Sequence, residues 1–161
     1  MRILIMNGPN LGALGVRQPD IYGSRTLDEL PKQVRTILGA RADEVVLSFF
    51  QSNHEGALID RLEQARTDAL PGANGANAAD GVVLNAGALT HTSLALADCL
   101  AWIGLPCVEV HLSNVLARTD EPLRQKSLLG KHVIGVIAGF GIESYALAVQ
   151  ALLLYTDKGT A

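Results

Sequence analysis

Glu109 and His111 stand two residues apart in Cys107-Val108-Glu109-Val110-His111, a run that reads as a strand. Residues i and i+2 of a strand share a face. The carboxylate is therefore placed to orient the imidazole, directly or through a neighbour, and to raise its pKa. A histidine held this way suits general acid catalysis; taken alone, it also fits an ordinary strand-end side chain. A second set of polar groups lies in the loop from Asn7 to Gly23, which holds Asn10, Arg17, Gln18, Asp20 and Tyr22. Gly8, Gly12, Gly15 and Gly23, with Pro9 and Pro19, break any helical or strand period there. Leu11, Leu14, Val16 and Ile21 make the loop too apolar for disorder, and its composition fits a hinged lid as well as it fits an ordinary strand-to-helix connection. His91 follows Asn85-Ala86-Gly87-Ala88-Leu89-Thr90 just before a helical pattern, where a capping or surface role is as good a reading as a binding one. No H-x-x-x-H or Cys/His ligand spacing occurs, so no metal site is expected. Gly8, Gly12 and Gly15 do not make G-x-G-x-x-G, and no P-loop lysine follows a strand.

The elements that must carry these residues alternate. Strands are expected at Arg2 to Asn7, Val45 to Phe50, Gly81 to Asn85, Cys107 to His111 and His132 to Ala138. Helices are expected from near Leu27, where Pro31 either weakens the helix or delays it by a turn, then over Glu55 to Asp68, Thr92 to Gly104 and Ile142 to Tyr155. Ser113 to Lys131 reads as a long polar connection with a short helix from Pro122. Continuous apolar strands between helices imply a parallel sheet covered on both faces. Five such units predict an α/β, flavodoxin-like, doubly wound domain with ligands outside the carboxyl ends of its strands. Asn7, Asn85 and His111 end three of those strands, so the polar groups collect at one edge of the sheet.

The 161 residues suit a single domain, 1–161, with a surface-loop insertion expected at 71–80 and a tail at 157–161. A hydrophobic fraction of 48% against 18% charged describes a globular chain. The net charge of −3, without a basic block, argues against a nucleic-acid surface. No apolar run approaches the roughly 20 residues of a membrane span. Two cysteines make no disulfide framework, and the N-terminus has no signal-peptide layout, so a cytoplasmic location is expected.

Four stretches resemble the type II 3-dehydroquinate dehydratases (type II dehydroquinases): Asn7 to Gly23, Gln51-Ser52-Asn53-His54-Glu55-Gly56, Asn85 to Ser93, and Glu109-Val110-His111-Leu112-Ser113-Asn114. The resemblance runs from residue 1 to about residue 155. It implies a cofactor-free lyase that dehydrates 3-dehydroquinate to 3-dehydroshikimate in the shikimate or quinate pathway. It implies that Tyr22 removes the proton beside the ketone, with Arg17 holding it as tyrosinate. Asn10 would position a water for the enolate oxygen, and His111, supported by Glu109, would protonate the leaving hydroxyl. Asn85 and the backbone of Leu112 and Ser113 would bind the carboxylate. His91 and an arginine beyond strand four would bind ring hydroxyls. Asp98 would reach a neighbouring subunit's site in trimers assembled into dodecamers.

Physical chemistry agrees with these roles. A phenol with a pKa near ~10 is a poor base at neutral pH. An adjacent guanidinium favours its charged form. None of Lys32, Lys126, Lys131 and Lys158 falls in a matching stretch, which disfavours a Schiff-base route. The chain departs from the family after Asn114. Leu116 is unusual, and the spacer between Arg118 and Arg124 is about two residues longer, so Arg124 is the expected hydroxyl-binding arginine if the extra residues bulge outward. The alternatives are a flavodoxin-like module for a flavin or nucleotide, and a non-catalytic relative that only binds or scaffolds.

Overall fold

The computed structural model describes residues 1–15, 26–73 and 75–159. Five strands form one parallel sheet: β1 Arg2–Asn7, β2 Val46–Gln51, β3 Gly81–Asn85, β4 Cys107–His111 and β5 Gly135–Ala138. Their order is β2-β1-β3-β4-β5. The helices are α1 Leu30–Leu38, α2 Glu55–Asp68, α3 Leu94–Ile103 and α4 Glu143–Gly159.

Strand alternation sorts the core into two layers. Ile3 and Ile5 of β1 pack with Val34 of α1 and Val149 of α4 on one face. Leu4 and Met6 pack with Leu62 of α2 and Leu100 of α3 on the other. The central strands are thus apolar on both faces, as a doubly covered parallel sheet requires. The order reverses between β1 and β3, where Asn7 and Asn85 are register partners. A crevice opens at such a switch point.

Local chemistry accounts for the boundaries. A 3₁₀ turn over Leu27–Glu29 precedes α1, whose start accommodates Pro31 in its first turn. Ser93 caps α3 by accepting from the Leu96 amide at 2.8 Å, and Gly104, at φ 63°, ends it. Three differences from the sequence reading stand out. The fifth strand starts at Gly135 because residues 130–132 form a 3₁₀ turn and pairing with β4 begins at Gly135. The last helix continues to Gly159 instead of yielding to a tail at residue 157, and Asp157 pairs with Arg41 at 3.0 Å. The 71–80 segment is not wholly a surface loop. Ala78 and Ala79 are buried, and Asp80 accepts from the Arg2 amide and guanidinium, each at 2.7 Å.

Candidate active site

Beyond the carboxyl ends of β1, β3 and β4 the described residues enclose a pocket of about 160 Å³. Asn10, Leu11 and Leu14 form one side, Asn85 and Gly87 the floor, and His91, His111 and Ser113 the opposite wall. Arg118 and Arg124 also border it.

The wall is built on a buried carboxylate. Glu109 is 0% exposed. Its Oε1 accepts from the Thr90 hydroxyl at 3.0 Å and lies 2.7 Å from His111 Nε2. Its Oε2 accepts from the Ser127 hydroxyl at 2.7 Å. Burial pushes the carboxyl's pKa up, but hydrogen bonds from His111, Ser127 and Thr90 and the charge of His111 outweigh it. Glu109 therefore titrates below the ordinary carboxylate range. An ionised carboxylate only accepts, so His111 Nε2 carries a hydrogen toward it. The remaining nitrogen, Nδ1, is left for the pocket.

The second imidazole is set by backbone. His91 Nδ1 lies 2.6 Å from the Lys126 carbonyl oxygen, which only accepts, so Nδ1 is the donor and Nε2 is left for a ligand. His91 ends a 3₁₀ turn over Gly87–His91. The two rings are nearly parallel, at 12°, with centroids 6.4 Å apart. One wall thus presents two ring nitrogens of different ancestry, one backed by a carboxylate and one by a carbonyl.

The opposite side depends on a tight backbone. The Gly8 amide donates to the Asn85 carbonyl at 2.7 Å. A Cβ on Gly8 would sit 2.4 Å from the Ala86 carbonyl oxygen, so only glycine fits. Asn10 takes a left-handed conformation, φ 67°, which asparagine tolerates better than most side chains. Its amide donates to Asn53 Oδ1 at 2.9 Å, which also receives Gln51 Nε2 at 3.1 Å. The stretch Gln51 to Asn53 therefore clamps the start of the loop.

The expected residues divide as follows. Asn10, Asn85, His91, His111, Leu112, Ser113 and Arg124 border one pocket, and Glu109 lies behind His111. Asp98 does not border it; it is exposed on α3. Arg17 and Tyr22 lie outside the described residues. Arg118 and Arg124 differ in their partners: Arg118 donates to the Ser113 hydroxyl at 2.8 Å, while Arg124 Nε is 2.6 Å from Glu121 Oε2. Sequence reasoning missed Thr90, Ser127 and Tyr145. No spacing rule points to Ser127, but Tyr145 is a polar-tipped ring in an otherwise apolar helix, which is a signal. Both cysteines are buried: burial, with help from Glu63, pushes the Cys99 thiol to about 11, and burial raises Cys107 further, so neither suits nucleophilic work. Among the described residues no group of three His, Cys, Asp or Glu is placed to hold a metal.

The family described as Dehydroquinase class II matches residues 1–153. A 3-dehydroquinate dehydratase of Chlorobaculum tepidum is 51% identical over 94% of this chain and 93% of its own. The crystal structure of a type II dehydroquinase from Butyrivibrio crossotus superposes with a TM-score of 0.80 at 35% identity, covering 95% of this chain and 97% of that one. A type II dehydroquinase from Propionibacterium acnes gives 0.78 at 37% identity, over 95% and 96%. With a family match over residues 1–153, a relative half identical over nearly its whole length and the same overall fold, the chain belongs to the class II dehydroquinase family.

Proposed function

We propose that this chain is a 3-dehydroquinate dehydratase that eliminates water from 3-dehydroquinate in an anti sense, through an enolate, to give 3-dehydroshikimate. The observation that carries the reading is the buried Glu109–His111 pair at the wall of the strand-end pocket. An imidazolium backed by an ionised carboxylate gives up its proton from the pocket side, which is what a leaving hydroxide requires. Tyr22 is the base, and Arg17 holds its phenolate. Asn10 positions a water at the enolate oxygen, a fixed donor aimed where charge develops. Asn85 and the Leu112 and Ser113 backbone take the carboxylate. His91 Nε2 meets a ring hydroxyl with Arg124, whose Nε is held by Glu121 while its terminal nitrogens remain to reach inward. No cofactor or metal enters this scheme.

The working unit is a homo-oligomer, trimer-based and dodecameric by likeness to the family, in which Asp98 serves a neighbour's site. Leu94, Asp98 and Trp102 recur every four residues on one face of α3, and Leu94 and Trp102 are 69% and 58% exposed. An apolar stripe around a single carboxylate suits contact with another copy. Among the described residues no helix is long and apolar enough to cross a membrane. A cytoplasmic setting fits two free, buried cysteines.

The test is turnover of 3-dehydroquinate, followed by the near-ultraviolet absorbance of the conjugated product. Chelators should leave the rate intact, and borohydride with substrate should trap no lysine adduct. Tyr22→Phe should abolish most turnover while sparing binding, and Arg17→Lys should do nearly the same. The double change should cost little more than the worse single, because the two act as a unit. Near-normal turnover in Tyr22→Phe would assign the base elsewhere, with His91 the next candidate. A fully active monomer in light scattering would contradict the assembly.

A further inference from the structure

A chain of three buried polar side chains runs beneath the pocket floor. The Tyr145 hydroxyl donates to Asn7 Oδ1 at 2.5 Å and accepts from Asn85 Nδ2 at 2.9 Å. Asn85 Oδ1 accepts from the Gly87 amide at 3.3 Å. Tyr145 comes from α4, Asn7 from β1 and Asn85 from β3, and all three are almost fully buried.

The directions of these bonds are forced. A phenol has one hydrogen. If it went to Asn85, the Asn85 amide would have to turn its NH₂ toward the Gly87 N–H, donor against donor. The Gly87 amide therefore decides the orientation of Asn85, and the tyrosine proton goes to Asn7. Burial pushes the Tyr145 phenol well above its ordinary range, although the Asn85 bond pulls it down, so it stays a neutral relay and is no rival to Tyr22 as base. With one Nδ2 hydrogen committed to Tyr145 and Oδ1 turned to the Gly87 amide, Asn85 has one donor left, its second Nδ2 hydrogen. Asn85 borders the pocket, so this hydrogen is the donor it can offer there.

We propose that Tyr145 is a positioning residue: locked between Asn7 and Asn85, it holds the Asn85 amide so that a hydrogen-bond donor faces an anionic oxygen of the substrate. This rests on the dehydratase reading for the identity of that anion, a carboxylate that does not react. A contact to a group unchanged in the reaction is made equally in ground and transition states, so its loss raises KM and largely spares kcat.

The experiment is a cycle of Tyr145→Phe, Asn85→Ala and the double variant, assayed for KM and kcat on 3-dehydroquinate. Tyr145→Phe should raise KM about five- to tenfold, the effect of one net hydrogen bond, with kcat nearly kept. In the Asn85→Ala background the same change should add nothing. A wild-type KM in Tyr145→Phe, or the same factor in both backgrounds, overturns the proposal, since a merely structural role would not act through Asn85. If Tyr145→Phe fails to fold, Asn7→Ala frees the tyrosine proton to turn on Asn85 and should raise KM likewise; an unchanged KM there also overturns it. A crystal structure of the Tyr145→Phe protein reads the same point without turnover. Asn85 should adopt a different or split rotamer, and an unmoved Asn85 overturns the relay. A wild-type chain that does not dehydrate 3-dehydroquinate refutes the dehydratase reading alone, because the Asn85 rotamer still reports on Tyr145.

Discussion

Two parts of the pocket are built in opposite ways. The strand-end wall carries Glu109 and His111 on β4, both buried, with Thr90 and Ser127 satisfying the carboxylate. The crossing that follows β4 consists of 3₁₀ turns at Val115–Ala117 and Pro122–Gln125, exposed along most of its length. Its arginines are held by single partners, Ser113 for Arg118 and Glu121 for Arg124. In the wall, low dielectric and full hydrogen bonding make each charge count, and removing one partner leaves others stranded. In the crossing, water competes with every contact, so a lost partner is replaced cheaply. Proton transfer needs the first kind of surroundings, whereas holding hydroxyls at the rim tolerates the second. Leu116 and the spacer between Arg118 and Arg124 fall in the tolerant part.

That contrast predicts a gradient of effects. His111→Ala should lower kcat by about 10²- to 10⁴-fold, the usual contribution of a general acid, with substrate binding much less affected. A loss under tenfold would show that the wall does not supply the proton.

Glu109→Gln comes next. It keeps the shape but replaces an acceptor-only group with one that carries an NH₂ among three donors. Losing a charged hydrogen bond of about 1.5–3 kcal/mol should cost turnover about 10- to 150-fold. The same change should alter acid stability. Because the folded carboxyl titrates below its unfolded value near ~4.3, its stabilisation is complete above that value and disappears as pH falls through the folded pKa. Chemical denaturation across the acid range should find the variant weaker than wild type near neutrality and converging with it in strong acid. Parallel curves at all pH values would break this account.

In the crossing, Arg124→Ala should weaken substrate binding about 5- to 150-fold, the cost of roughly 1–3 kcal/mol for an unpaired hydroxyl partner, and more than Arg118→Ala. Equal and negligible effects in equilibrium binding would remove arginine from the role. Smallest of all, Thr119→Ala, at an exposed turn position, should change stability by less than about 0.5 kcal/mol. A thermal shift well beyond that would mean the spacer is anchored more firmly than its exposure suggests.

Much of the architecture was legible beforehand because it rests on local patterns. Arg2–Asn7, Gly81–Asn85 and Cys107–His111 are unbroken β-favouring runs, and the structure places strands on those same residues. The helix over Glu55–Asp68 follows its Leu58, Leu62, Ala65 stripe, all three buried. The pairing of Glu109 with His111 follows from the two-residue period of a strand. Edges were harder. The start of β5 depends on where β4, beside it in the sheet, offers partners, and the last turns of α4 meet Arg41, more than a hundred residues away.

Residue types and periodicity alone determined that this chain makes a covered parallel sheet and gathers its polar groups beyond the carboxyl ends. Tertiary structure alone decided how those groups are held. Ser127 reaches Glu109 across 18 residues, Asn53 reaches Asn10 across 43, and Tyr145 reaches Asn7 across 138. A hydrogen bond acts over about 3 Å in space and is indifferent to separation along the chain, so no spacing in the sequence announces it. Only the packing of α4 against β1 and β3 brings the phenol, the two amides and the pocket floor into one line.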